Sequence, residues 1–194
     1  MADRNTQVAL DRFTWRMLSQ QVSQWEFDGL KQRIDRWDQW CEEWSKVAAQ
    51  HAATGDKAAK EGHALTAGGA YIRAALYYHW ANFLFVHDQK QFVGAMLAMD
   101  ECWKKAAPLV DPPMELLEIP FEGLRMPGWL RKPKGVAKPP VVVLVPSSVA
   151  ARPSASFTFA DNAPKLMSAM VIGLVSTTST PRARACSRRR RDCP

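Results

Sequence analysis

Apolar positions recur at helical spacing through the first 110 residues and alternate after them. Over residues 7–29, Val8, Phe13, Met17, Val22 and Trp25 give one imperfect apolar face, and Gly29 permits an end there. Leu30, Ile34, Trp37, Cys41 and Trp44 follow at steps of four, three, four and three, widened by Trp40 and Val47. That stripe predicts an amphipathic helix with an indole-rich face. "ATGDK" at 53–57 reads as a turn. Residues 57–87 read as two helices, with Gly62, Gly68 and Gly69 allowing a break or a close helix approach. The second, "AYIRAALYYHWANFLFVH", is apolar almost all round and is predicted to be buried on most sides. Residues 88–109 form a further amphipathic helix with Asp88 as N-cap, closed by Pro108 and the "DPP" at 111–113.

Beyond that junction Leu117, Ile119 and Phe121 alternate with Glu118 and Glu122, the period of a strand. "LRMPGWLRKP" continues in the same manner, so a hairpin turning near "EG" at 122–123 is expected. Pro120 and Pro127 confine it to a sheet edge or to bulges. After the loop "KPKGVAKPP" comes Val141–Val145, five apolar residues of which four are valine. This is the pattern of a short strand buried on both faces. The fold expected is a mostly α domain over 1–112, then an incomplete sheet over 113–175, then a disordered basic tail over 176–194.

Charge changes the picture only in the tail. The chain of 194 residues carries +7, but residues 147–194 hold eight basic against two acidic residues, leaving +1 for everything before them. The run "SRRRRDC" has no interleaved aromatic residues and reads as a solvated segment, so a nucleic-acid partner is not expected. No run of about 18 apolar residues is present, so no membrane partner is expected. The N-terminus lacks the apolar centre of a signal peptide, which places the protein in the cytoplasm. Cys41, Cys102, Cys186 and Cys193 are widely spaced without a CxxC; they read as reduced thiols, with no metal site.

Arg73 and His79 are the polar exceptions in the most apolar helix, among Tyr71, Tyr78 and Phe83. A polar group there is hydrogen-bonded, sits at an edge or faces a cavity. Tyr71, Arg73, Tyr78, His79 and Phe83 are therefore the candidate pocket-lining residues, with a satisfied core histidine as the plainer reading of His79.

The order "YIRAALYYHWANFLF", "CWKKAAPLVDPPMELLEIPFEGLRMPGWLRKP" and "PPVVVLVP" resembles the N-terminal half of α/β-hydrolases similar to 2,6-dihydroxypseudooxynicotine hydrolase, over roughly residues 10–146. The resemblance implies a helical cap, an edge hairpin and the first buried strand of a hydrolase sheet. It further implies a serine hydrolase of ester or activated C–C bonds, a small-molecule substrate, no cofactor, and a homodimer through the helical domain. Such a fold needs a Gly-containing oxyanion loop after the strand, then a G-x-S-x-G nucleophile elbow, an acid and a histidine. Here Ser147 and Ser148 stand at the oxyanion-loop position, no G-x-S-x-G occurs, and no histidine follows His87. No catalytic residue can be assigned, and the chain is expected to be inactive. With GC-rich codons in another frame, "STTSTPRARA" at 176–185 spells D-D-F-D-A-P-G-T-G, close to a loop of the "xDxPGxGE" type that the resemblance places there. The expectation is that residues after about Pro146 are wholly or partly out of frame. The alternative reading is a non-catalytic, tetratricopeptide-like interaction module. Its internal period of about 34 residues is not convincingly present, and a solenoid has no place for the strands.

Overall fold

The computed structural model describes residues 3–135, 141–144 and 170–174, the last two segments by their backbone. Five helices come first: α1 (Arg4–Ser19), α2 (Gln24–Arg33), α3 (Trp40–Lys60), α4 (Ala64–Asn82) and α5 (Gln89–Ala106). Four strands follow: β1 (Met114–Phe121), β2 (Leu124–Arg131), β3 (Val141–Leu144) and β4 (Met170–Leu174).

The helices start and stop for local reasons. Asp3 caps α1 by accepting from the Thr6 N–H at 2.8 Å, and its second oxygen accepts from the Trp37 N–H at 2.8 Å, tying the chain start to the segment before α3. Asp88 caps α5, as its position predicted, accepting from the Gln91 N–H. Gly62 ends the α3 segment with φ of +78°, a left-handed conformation that glycine adopts without cost.

Three sequence expectations are corrected. The first break falls at Gln21, with φ of +72°, and not at Gly29, which lies inside α2. The break resets the helical phase, so Trp25 is exposed; within α1 itself the buried face is Thr6, Ala9, Leu10 and Met17, and Val8 lies off it, exposed. The stripe from Leu30 to Trp44 is divided by a 3₁₀ turn, Trp37–Gln39, between α2 and α3. Finally, "ATGDK" is the last part of α3, not a turn. Gly55 is there for closeness: a Cβ on it would stand 2.6 Å from the Tyr71 ring. Gly68 lets Leu109 approach α4 in the same way.

α4 lies between α3 and α5 and packs along both, whereas α3 and α5 touch each other little. Trp40, Trp44, Trp80, Tyr77, Phe27 and Phe85 are fully buried together, with Trp44 within 6.4 Å, ring to ring, of Phe27, Trp40, Tyr77 and Trp80. Trp37 and Trp103 are half-buried against this core and its neighbour.

β1 and β2 form the expected hairpin, Phe121 opposite Leu124, with Glu122 and Gly123 both at positive φ in a two-residue turn of type I′ character. The sheet order is β1-β2-β4-β3; β4 runs parallel to β2 and antiparallel to β3. β1 is an edge strand and carries Pro120, and Pro127 precedes the stretch of β2 paired with β4, so neither proline removes a needed N–H. β3 pairs only with β4 among the described residues. Arg131 fixes the hairpin to the junction by donating to the carbonyls of Pro112 (3.0 Å) and Asp111 (2.8 Å). Ser147, Ser148 and the tail 176–194 lie outside the described residues.

Candidate functional site

Four of the five candidate residues sit on α4, and Phe83 is the extended residue that caps its end. The helix stops at Asn82 and does not run on to His87 as expected. The length of α4 separates the candidates. Tyr71 and Phe83 are 12 residues apart on or just past one helix, about 18 Å along its axis. Tyr71 is buried, its hydroxyl donates to Asp56 at 2.7 Å, and Lys105 donates to the same carboxylate oxygen at 2.8 Å while its ammonium lies 5.2 Å from the Tyr71 ring centroid. The Lys105 and Tyr71 hydrogen bonds hold the Asp56 carboxyl below its ordinary pKa. This clasp ties the end of α3 to α4 and α5. Phe83 is buried at the other end, under the Arg16 guanidinium at 5.6 Å and edge-on to Trp80 at 4.8 Å. His79 lies beside it, 5.8 Å from the Phe83 ring, with no hydrogen bond to its ring nitrogens among the described residues. Burial, and then the Arg16 charge, push its pKa down, which leaves it neutral at pH 7. Arg73 is exposed.

Tyr78 lines a concavity. Because α3 and α5 both rest on α4 and hardly meet, a groove of about 630 Å³ remains between them. One wall is Cys41, Ser45 and Ala49 of α3; the other is Gln91, Ala95 and Ala98 of α5. Glu42 and Lys46 stand at its rim, joined to one another at 2.8 Å. The Cys41 thiol donates to the Gln91 carbonyl at 3.6 Å, and burial pushes it up to about 11, so it is no nucleophile near neutral pH.

A polar cluster escaped the sequence reading. Tyr77, fully buried, donates to Glu26 Oε2 and accepts from the Ser23 N–H at 2.9 Å. The other Glu26 oxygen lies 2.9 Å from His51 Nε2, and the His51 ring is 5.0 Å from that of Tyr77. Desolvation drives the Tyr77 phenol upward and the His51 imidazole downward, the Arg73 charge adding to the latter. Glu26, His51 and Tyr77 come from three helices and stand about 25 residues apart in sequence, so no local spacing announces them. The cluster fastens α2 to the bundle. Among the described residues no group of three or more His, Cys, Asp or Glu is placed to hold a metal ion, and no helix is long and apolar enough to cross a membrane.

Comparison with known proteins gives this arrangement its context. A crystal structure of the 2,6-dihydroxy-pseudo-oxynicotine hydrolase superposes with a TM-score of 0.56 at 27% identity, over 64% of this chain and 35% of that one. The α/β-hydrolase pydG of Acremonium sp is 31% identical over 134 residues, 66% of this chain and 32% of the relative. The 2,6-dihydropseudooxynicotine hydrolase of Paenarthrobacter nicotinovorans is 32% identical over 106 residues, 55% of this chain and 28% of the relative. The chain thus spans about a third of the length of these relatives. The family described as "Esterase FrsA-like" matches residues 26–178, past Pro146, where the sequence resemblance was expected to end. With that match across most of its length, the chain belongs to the FrsA-like esterase family within the α/β-hydrolases.

Proposed function

We propose that this chain carries the helical cap and the first strands of a serine hydrolase for an ester or activated C–C bond in a small molecule, and has no hydrolytic centre of its own. The observation that carries the reading is a contrast within the sequence. The helices close around a buried aromatic core and the hairpin pairs in register, yet no G-x-S-x-G occurs and no histidine follows His87. A serine hydroxyl is a weak nucleophile until an adjacent base takes its proton. The four histidines, at 51, 63, 79 and 87, all belong to the helical part. In this reading Arg73 and His79 are the cap residues that would meet a substrate, since neither is held by an ion pair or hydrogen bond among the described residues. With the family match reaching residue 178, the out-of-frame reading rests on the Ser/Arg-rich stretch from Ser176 onward.

The test is active-site titration. The purified chain, incubated with a fluorophosphonate and examined by intact-mass spectrometry, is expected to stay unlabelled and to hydrolyse p-nitrophenyl esters no faster than buffer. Stoichiometric labelling of any serine would sink the proposal. Sequencing the encoding DNA checks the out-of-frame part: a shifted frame without a D-x-P-G-x-G stretch rules it out.

A further inference from the structure

We propose that the groove between α3 and α5 binds a neutral aromatic molecule carrying a hydrogen-bond acceptor, with Tyr78 as the group that recognises the acceptor. The inference is independent of the hydrolase reading, because none of the groove's lining is asked to do chemistry.

Three features of the groove select the ligand. It is a trough of about 630 Å³, open to solvent along one side, with room for a molecule of one to three rings laid along it, and seams between bundle helices are common places for such sites. Its walls are kept low by small residues, Ser45 and Ala49 facing Ala95 and Ala98, and a Cβ at Gly94 would still meet nothing within 4 Å. Flat apolar matter fits between such walls, and it would cover the half-exposed part of the Tyr78 ring. The Tyr78 hydroxyl makes no hydrogen bond among the described residues, in contrast to Tyr71 and Tyr77, whose hydroxyls are both engaged. The hydroxyl is not among the buried polar atoms left without a partner, so it reaches solvent and a ligand acceptor would take the place of water there; burial raises its pKa, so it keeps its proton.

Charge decides the rest. Lys46 is already shared by Glu42 and Glu43 at 2.8 and 2.7 Å, so the rim offers no uncompensated cation or anion to an ionic ligand. The Cys41 thiol is spent on the Gln91 carbonyl, and the Gln91 amide on Asp88 at 2.9 Å. A second copy of the chain is a poor occupant, since an isologous contact would set one concave surface against another.

Ligand-observed saturation-transfer NMR on the full chain, titrated with benzophenone and with diphenylmethane, tests the proposal. The two probes differ in one carbonyl. Benzophenone is expected to bind about fivefold tighter, the worth of one neutral hydrogen bond. Tyr78→Phe should bring the two probes to parity without abolishing either. Ala98→Phe, which fills the groove, should weaken both by about tenfold or more. If Ala98→Phe does not fold by circular dichroism, Ala49→Leu on the exposed opposite wall takes its place. Absence of binding, a carbonyl preference that survives Tyr78→Phe, or binding indifferent to groove filling overturns the proposal. So does concentration-dependent dimerisation that groove filling abolishes, which would make a second copy the occupant.

Discussion

The helical half and the strand half of this chain solve the burial problem differently. α1 to α5 supply both sides of their own interface: Trp40, Trp44 and Trp80 are each at most 1% exposed, and the aromatic rings around them come from α2, α3, α4 and the loop after α4. In β1 and β2, Trp129 is the one large apolar side chain among those described that is buried; Leu116 and Leu124 remain exposed. Helices meet neighbours close in sequence and close a core early. Strands must wait for partners that arrive later, and β3 has a strand on one side only among the described residues. The relatives that the chain matches are about three times its length.

Substitution at Trp44 should separate the halves most sharply. Trp44→Ala removes the ring around which four others gather and should cost ~3–5 kcal/mol of stability in urea unfolding. Trp25→Ala, at a residue 87% exposed, should stay within ~0.5 kcal/mol. Comparable losses from both would mean that the indole core is not where the stability resides.

Next comes the fastening of α2. Tyr77→Phe leaves Glu26 and the Ser23 N–H without their shared phenol and should cost about 1–3 kcal/mol. Hydrogen exchange should then quicken in α2 ahead of α4. Uniform acceleration would show that the cluster does not hold α2 in particular.

Two glycines in helices of the same bundle should respond with opposite signs. Gly94→Ala, in open space, should stabilise by about 0.5–1 kcal/mol, the usual gain in helix propensity. Gly55→Ala drives a Cβ to 2.6 Å from a ring clamped by Asp56 and packed under Lys105, and should lose about 1–3 kcal/mol. Thermal melts of the pair decide it, and equal shifts contradict the close packing of α3 on α4.

Smallest is the effect of pH. His51 and His79 both have pKa values lowered in the folded state, chiefly by desolvation. The unfolded chain then binds more protons, so their contribution to stability is intact above about pH 6.5 and fades as pH falls below it. Melting temperature should decline between pH 7 and 5, and His79→Phe should flatten the decline. A melting temperature that rises on acidification would reverse the sign assigned to both.

What the sequence made legible follows the same division between local and distant causes. Asp88 as a cap, Glu122-Gly123 as a hairpin turn and the burial of most of α4 depend on neighbours within a few residues, and all are as expected. The "ATGDK" segment misled because its glycine answers to Tyr71 on the next helix and not to a local turn. Trp25 looked like core because the break at Gln21, which changes the phase, carries neither Gly nor Pro to mark it. The site was less legible than the fold. Polar residues on an apolar helix correctly drew notice to α4, yet whether each one is clasped, stacked, exposed or facing a groove depends on α1, α3 and α5.

The most direct test of the helical half as a closed unit is to express residues 1–112 alone and compare its far-ultraviolet melt with that of the full chain. Among the described residues the hairpin is tied to that unit at the junction, by the Met114 N–H to the Ala107 carbonyl at 2.9 Å and by the Arg131 bonds to Asp111 and Pro112. The fragment should be helical and melt in one cooperative transition within about 4–8 °C of the full chain, the shift that ~1 kcal/mol produces in a domain of this size. A fragment that is unfolded, or that melts without cooperativity, would contradict the account.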